Sequence, residues 1–210
     1  RKEYLWLDAA SADPIDTIGA IIDMAPIELN VDTIIDLGHM FSRVIDFRSS
    51  FTATHSSGVS ATAGMLARLV GFSDKECFMM RMAGYLHDLG KLSVPAEVLH
   101  KSGGLSPDEV DIMRAHTYYG FRALQKVPVL ETLNQWASLH HERLDGSGYP
   151  FHLTRADLPL GSRIMAVADV FTALSEDRPY RAGMEPDAAM GILSLMVRDG
   201  GLDGDIVDVL

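Results

Sequence analysis

Histidine and aspartate stand side by side at His87-Asp88, at the end of an apolar stretch, and Gly90 and Lys91 follow shortly after. An imidazole nitrogen and a carboxylate oxygen together suit a first-row transition metal such as iron, manganese, zinc or nickel. The two oxygens of Asp88 could also bridge two such ions. Lys91 is expected one turn away, as a cation free to meet the negative charge of a substrate. The pair alone is weak evidence, because adjacent His and Asp often hydrogen-bond each other.

Residues of the same chemical types recur at helical positions in the central part of the chain. Neighbouring residues of a helix point about 100° apart, so two adjacent ligands can face one centre only from a helix end. Both His87-Asp88 and His140-His141 are predicted to stand at such ends. A set of seven nitrogen and oxygen donors exceeds what one tetrahedral zinc ion needs and suits two metals that share a carboxylate. The candidate ligands are His55, His87, Asp88, His116, His140, His141 and Asp169.

Some of these candidates have a simpler explanation. A single helical histidine, such as His55 or His116, is more often a hydrogen-bonded polar group than a metal ligand. Asp169 is harder to explain in that way, because an aspartate among Ile, Met, Ala and Val is costly to bury without a partner. The combination of residues, rather than any one of them, therefore indicates a metal site.

The elements that must position these residues are predicted to be helices. Ser73 and Ser106 are each followed three residues later by a glutamate, the pattern of a capping box that starts a helix. The segment 142–159 is rich in glycine, proline and charge, and such a long irregular stretch is usually functional. The sequence has no run of alternating β-branched residues, so the fold class is predicted to be all-α. The predicted helices cover approximately residues 32–45, 52–70, 74–88, 107–124, 130–141, 161–177 and 186–199, and residues 14–26 could form one more.

Length and charge exclude several classes of protein. With 210 residues, 47% of them hydrophobic, the chain can bury a core and is not disordered. No apolar run approaches the ~20 residues that span a bilayer, and the single cysteine is compatible with a reducing cytosol. The net charge of −11 speaks against binding DNA or RNA, although metal ions could still attract a small anion. Because the chain starts without methionine, we expect a piece of a longer protein with a sensor module upstream.

Two long motifs carry a resemblance to a known family. The first is HDLGK at residues 87–91, and the second is HHERLDGSGYP at residues 140–150. Shorter matches surround His55, His116 and Asp169, the last continuing to RPYR at residues 178–181. The chain resembles the HD-GYP family, a subgroup of the HD-domain phosphohydrolases. The resemblance implies an HD-domain-like helical bundle with a dimetal centre between helices. We expect this domain over residues 49–210, after an N-terminal helical extension or linker over residues 1–48.

The resemblance further implies hydrolysis of the bacterial messenger cyclic di-GMP to linear pGpG, to GMP or to both, through a hydroxide that bridges two metal ions. Iron or manganese is expected first, with nickel, zinc or magnesium as alternatives. Asp88 and Lys91 would be catalytic, and Lys91 would bind the scissile phosphate. Tyr149, Arg178 and Arg181 would contact the substrate. One ion would be held by His55, His87, Asp88 and Asp169, and the other by Asp88, His116, His140 and His141.

Other interpretations stay open. Some members of the family bind a third metal through a glutamate one helical turn before the first histidine ligand, but Phe51 stands there, so two metals are predicted. Tyr149 could instead anchor its loop to the domain, and that loop is also proposed in the family as a docking surface, here for a diguanylate cyclase. A homodimer is open, and the expected location is the bacterial cytoplasm. The rival functions are hydrolysis of another nucleotide or cyclic dinucleotide, a diiron oxygenase, and a non-catalytic module that binds cyclic di-GMP or a diguanylate cyclase.

Overall fold

A computed structural model describes residues 30–48, 54–177 and 182–210. The chain divides into two units, residues 1–34 and residues 35–210, and all seven candidate metal ligands belong to the second unit. The helix predicted over residues 14–26 lies outside the described residues, as do Phe51, Arg178 and Arg181.

The described residues form helices joined by short turns and one long loop, which confirms the all-α prediction. No strand occurs in the described ranges, where pairing of extended backbone is limited to one isolated antiparallel bridge between Asp145 and Thr154. Two short 3-10 turns, Leu89–Ser93 and Pro128–Leu130, lie between helices. The α-helices are α1 Val31–Arg48, α2 His55–Leu69, α3 Asp74–Leu86, α4 Ala96–Leu99, α5 Pro107–Gln125, α6 Glu131–Ser138, α7 Leu160–Ser175, α8 Pro186–Arg198 and α9 Gly204–Val207.

The core lies where α2 packs against α3 and α7, and where α6 packs against the same two helices. Leu66, Met80, Ile164 and Val167 contribute fully buried side chains to it. Burying a side chain of this kind contributes roughly 1.5–3 kcal/mol. No helix among the described residues is both long and apolar enough to cross a membrane.

The predicted helix starts are formed as expected. The Ser73 hydroxyl accepts a hydrogen bond from the Glu76 N–H, and the Glu76 carboxylate accepts one from the Ser73 N–H. Ser106 and Glu109 form the same capping box, with Pro107 at the first position of α5. These reciprocal bonds satisfy backbone donors that a helix start otherwise leaves unpaired. They fix where α3 and α5 begin, and hence where His87 and His116 fall.

A close approach of two backbones brings the residues after α3 next to α5. A β-carbon on Gly90 would overlap the carbonyl oxygen of His116 and the nitrogen of Gly120. Only glycine permits this contact, because it has no side chain. The 3-10 turn that carries Lys91 therefore lies directly on the helix that carries His116.

Candidate metal centre

All seven predicted ligands meet at one place in the bundle. His87 and Asp88 follow α3, His116 lies within α5, and His140 and His141 follow α6. His55 is the first residue of α2, and Asp169 lies in α7. Their donor atoms form three overlapping groups, and within each group all atoms lie within 4.8 Å of one another. The groups are His55 with His87 and Asp169, His87 with Asp88 and His140, and His116 with His140 and His141.

Three of the histidines are held in the same way. The Nδ1–H of His87 donates to the carbonyl oxygen of Gly84 at 2.8 Å. His116 donates to Met113 and His140 to Ala137, each at 2.7 Å. In every case the acceptor is the residue three positions earlier. A carbonyl can only accept, so Nδ1 carries a proton, and in the neutral ring Nε2 presents its lone pair.

The three Nε2 atoms thus oriented, those of His87, His116 and His140, are buried and have no hydrogen-bond partner. Buried polar atoms in native proteins are nearly always paired, so three unpaired lone pairs in one cluster need an explanation. A divalent cation supplies it, because neutral imidazole nitrogen is a ligand for iron, manganese, zinc and nickel. The residues present therefore fit a metal centre.

Asp88 lies between the two halves of this cluster. Its Oδ2 is 3.2 Å from His87 Nε2, and its Oδ1 is 3.4 Å from His116 Nε2. Asp169 makes a second connection, with Oδ1 at 3.2 Å from His55 Nε2 and 3.8 Å from His87 Nε2. The two Asp88 oxygens thus face different histidines, which is the arrangement that a carboxylate shared by two ions requires.

Electrostatics favour charged carboxylates here and neutral imidazoles at His116, His140 and His141. His55 is the exception: burial acts to lower its pKa, but its contacts with Asp169 and Glu176 raise the pKa to about 10. Burial acts to raise the pKa of Asp88, but Lys91 and His87 hold it well below its usual range. Burial likewise opposes ionisation of Asp169, yet His55 and His141 keep its pKa far below normal. Burial lowers the pKa of His140 strongly and that of His141 to about 3. Ionised carboxylates and neutral imidazoles are the protonation states that ligate metal.

Lys91 is not the free cation that the sequence suggests. Its Nζ donates to Asp88 Oδ2 at 2.6 Å, because three residues along the 3-10 turn bring the two side chains to the same side. The ammonium group is partly exposed, with 22% of the side chain accessible. It therefore lies at the edge of the cluster of candidate ligands, within reach of both the Asp88 carboxylate and the solvent.

Tyr149 lies against the cluster. Its ring centroid is 4.9 Å from that of His141, and the Arg114 guanidinium carbon is 5.3 Å from the Tyr149 ring centroid. Burial and the nearby charge of Asp169 raise the pKa of the Tyr149 phenol to about 12, so its hydroxyl stays protonated and can donate a hydrogen bond. The ring thus anchors its loop on a candidate ligand and also stands at the edge of the site.

Two further acidic residues support the site, and the motif pattern assigns them no role. Glu176 Oε1 is 3.1 Å from His55 Nδ1. The buried Glu142 carboxylate accepts hydrogen bonds from the backbone N–H of Phe151 at 2.6 Å and of Leu153 at 3.0 Å. A carboxylate directly after a histidine pair is a signal for Glu142, but the sequence offers none for Glu176.

Comparison with known proteins identifies relatives over most of the chain. A family model described as HD domain matches residues 39–206. The chain is 36% identical to 3'3'-cGAMP-specific phosphodiesterase 1 of Vibrio cholerae, over an alignment of 212 positions that covers all of this chain and 49% of that protein. It is 40% identical over 154 residues, 72% of its length, to the cyclic di-GMP phosphodiesterase response regulator RpfG of Xanthomonas campestris, spanning 41% of it. The chain therefore spans less than half the length of these curated relatives.

A solved structure supports the same fold. The crystal structure of a cyclic GMP-AMP-specific phosphodiesterase of Vibrio cholerae aligns with a TM-score of 0.56 and 29% sequence identity. The alignment covers 93% of this chain and 45% of the other. The matches to the family and to RpfG agree with the resemblance in the two long motifs. The full-length match to the first relative also takes in residues 1–48, where the motifs show no resemblance.

Proposed function

The chain belongs to the HD domain family, and from that premise we propose that it is a metal-dependent phosphodiesterase acting on a cyclic dinucleotide. The observation that carries the proposal is the group of three buried Nε2 atoms that make no hydrogen bond, arranged around a carboxylate whose two oxygens face different histidines. Such a site suits an in-line attack on a phosphodiester, and a simple structural role leaves the orphaned nitrogens unexplained.

We assign the seven residues to two ions. His55, His87 and Asp169 would hold one, His116, His140 and His141 the other, and Asp88 both. The chemistry that two bound divalent ions supply is activation of a water at neutral pH and neutralisation of charge that develops on the phosphoryl oxygens.

Residues around the cluster would bind and orient the substrate. Lys91 would exchange its contact with Asp88 for a non-bridging oxygen of the scissile phosphate once the carboxylate is engaged by cations. Tyr149 would donate a hydrogen bond from its protonated hydroxyl. Arg178 and Arg181, which follow α7 in sequence, would contact the ligand phosphates, for which a planar guanidinium is well suited.

For the substrate we propose cyclic di-GMP first, with linear pGpG or GMP as product, in the bacterial cytoplasm. Relatives named for that activity include RpfG. The second candidate is 3'3'-cGAMP, because a relative specific for it matches the whole length of the chain. Both substrates present the same phosphodiester to the metal cluster, so the cluster itself does not choose between them.

The deciding experiment pairs metal analysis with turnover on one anaerobic preparation. We expect two ions per chain and hydrolysis of a cyclic dinucleotide with iron or manganese supplied; cyclic di-GMP and 3'3'-cGAMP are assayed in parallel. Asp88→Ala should lose both metal and activity, since one carboxylate serves both ions. Asp111→Ala, an exposed aspartate on α5, is the matched control.

Each alternative has its own outcome in that experiment. Metal binding without product from either dinucleotide would overturn the enzymatic proposal and favour a binding module. Wild-type metal content and activity in Asp88→Ala would refute the assignment of the bridge. Three ions per chain would contradict the inference drawn from Phe51.

A further inference from the structure

We propose that Glu176 is the positioning residue for His55, and that it selectively controls the affinity of the ion which His55, His87 and Asp169 would hold. The inference rests on the proposed two-metal site but concerns a residue outside the two long motifs, to which the resemblance assigns no role. It follows from the way each histidine is oriented.

His87, His116 and His140 each use a carbonyl oxygen of the preceding helical turn to fix the ring. This support is local, because the acceptor lies three residues back in the same stretch of chain. The Nδ1 proton and the ring direction are therefore set wherever the helix is intact.

Among the residues that the structure describes, His55 has no such local support. It is the first residue of α2, so no turn of its own helix precedes it, and the helix start at Thr54 has no side-chain cap. Its Nδ1 faces Glu176 instead, with the two carboxylate oxygens at 3.1 and 3.2 Å. The acceptor comes from a residue 121 positions away in the chain.

Glu176 is well placed to do this. It directly follows the last residue of α7, and its own N–H donates to the carbonyl oxygen of Thr172 at 3.0 Å. Its side chain is 13% exposed, so the contact with His55 is shielded from water. The same helix carries Asp169, whose Oδ1 is 3.2 Å from His55 Nε2. Helix α7 thus carries the candidate ligand Asp169, and the residue directly after it, Glu176, orients His55.

A carboxylate behind a ligating histidine has two effects. It fixes Nδ1 as the protonated nitrogen, which leaves Nε2 for the metal, and it makes the imidazole a better electron donor. A carbonyl oxygen provides the first effect but carries no net charge. Loss of Glu176 should therefore lower the affinity for the ion at His55, and should leave the affinity for the ion at His116, His140 and His141 nearly unchanged.

The test titrates chelator-stripped protein with Mn²⁺ and follows free Mn²⁺ by electron paramagnetic resonance, without any substrate. In Glu176→Gln, one of the two dissociation constants should rise about 10- to 100-fold, with less than about a twofold change in the other. Glu176→Ala should raise the same dissociation constant further, because the Gln side chain still offers an oxygen to His55 Nδ1 and the Ala side chain does not. Glu185→Gln, an exposed glutamate ahead of α8, is the control for the chemical change.

A double-mutant cycle assigns the effect to its histidine. In a His116→Ala background, Glu176→Gln should still lower the affinity for the remaining ion. In a His55→Ala background, Glu176→Gln should leave the affinity for the remaining ion unchanged. Wild-type affinity for both ions in Glu176→Gln, equal weakening of both, or a persistent effect without His55 would each overturn the inference. A general structural role would instead lower the thermal stability of the stripped protein, which is measured alongside. Since no substrate is present, failure of the phosphodiesterase proposal would leave this result standing.

Discussion

Removal of the Glu142 carboxylate should release the loop that carries Tyr149. Glu142 is 2% exposed and accepts backbone hydrogen bonds from Phe151 and Leu153, at 2.6 and 3.0 Å. The loop also packs tightly on the same residue, because a β-carbon on Gly148 would overlap the Glu142 backbone. The loop is therefore held to the chain directly after the histidine pair.

The magnitude follows from the two hydrogen bonds. Bonds to a charged group contribute about 1.5–3 kcal/mol each, and the lower value applies because the Phe151 and Leu153 N–H groups are only partly buried. Glu142→Ala should thus lower the free energy of unfolding by about 3 kcal/mol, or about 6–12 °C in melting temperature for a domain of this size. Glu142→Gln should lower the free energy of unfolding by less than Glu142→Ala does. Its amide oxygen can still accept from one N–H group, although its amide nitrogen then faces the other.

Urea unfolding followed by the fluorescence of buried Trp136 measures the loss, and Glu131→Gln on the exposed side of α6 is the control. The metal content of Glu142→Ala should stay at the wild-type value, because His140 is held by Ala137 and not by the loop. The KM for the dinucleotide should rise, since Tyr149 loses its fixed position. A change of less than about 0.5 kcal/mol in Glu142→Ala, the range of an ordinary surface substitution, would refute this account of the loop.

Two further predictions concern the backbone contact and the charge of the cluster. Gly90→Ala should displace the 3-10 turn from α5, with a fall in melting temperature and in metal bound at His116; an unchanged metal content would contradict the contact. For chelator-stripped protein, burial lowers the pKa of His116, His140 and His141, so the unfolded chain binds more protons below its ordinary histidine pKa of about 6.5. Stability should therefore fall as the pH drops below about 6.5, by up to about 1.4 kcal/mol per unit for each histidine. The pKa of His55 is raised to about 10, so its protonation stabilises the folded state equally at every pH below about 6.5 and does not change this trend. Urea unfolding at about pH 6.5 and pH 5.5 tests the trend, and equal free energies of unfolding at the two pH values would refute it.

The parts of the structure that sequence predicts well are those fixed by local contacts. Both capping boxes involve residues three apart, so Ser73 and Ser106 locate the starts of α3 and α5 directly. His87-Asp88 was expected at a helix end, and α3 ends at Leu86. The spacing of the histidines then follows from helices whose bounds the sequence already contains.

The parts that sequence misses depend on contacts between distant residues. Glu176 meets His55 only because α7 packs against α2, and no periodic pattern marks an acidic residue at a helix end as an orienting group. The pairing of Lys91 with Asp88 was missed for another reason. The residues are close in sequence, but the 3-10 turn that directs one side chain at the other was not anticipated.

The two kinds of support should respond differently to substitution. The direction of a ring held by the carbonyl three residues back should depend little on side chains elsewhere, because the acceptor belongs to the same stretch of chain. His55 and the loop that carries Tyr149 lack that protection. His55 depends on the Glu176 carboxylate, and the loop depends on the Glu142 carboxylate, which accepts hydrogen bonds from the N–H groups of Phe151 and Leu153. Changes at these two acidic residues can therefore alter the affinity for one ion, or the affinity for the substrate, while all seven candidate ligands stay in place. Within the described residues, this makes an intact ligand motif an insufficient criterion for an active site of this kind.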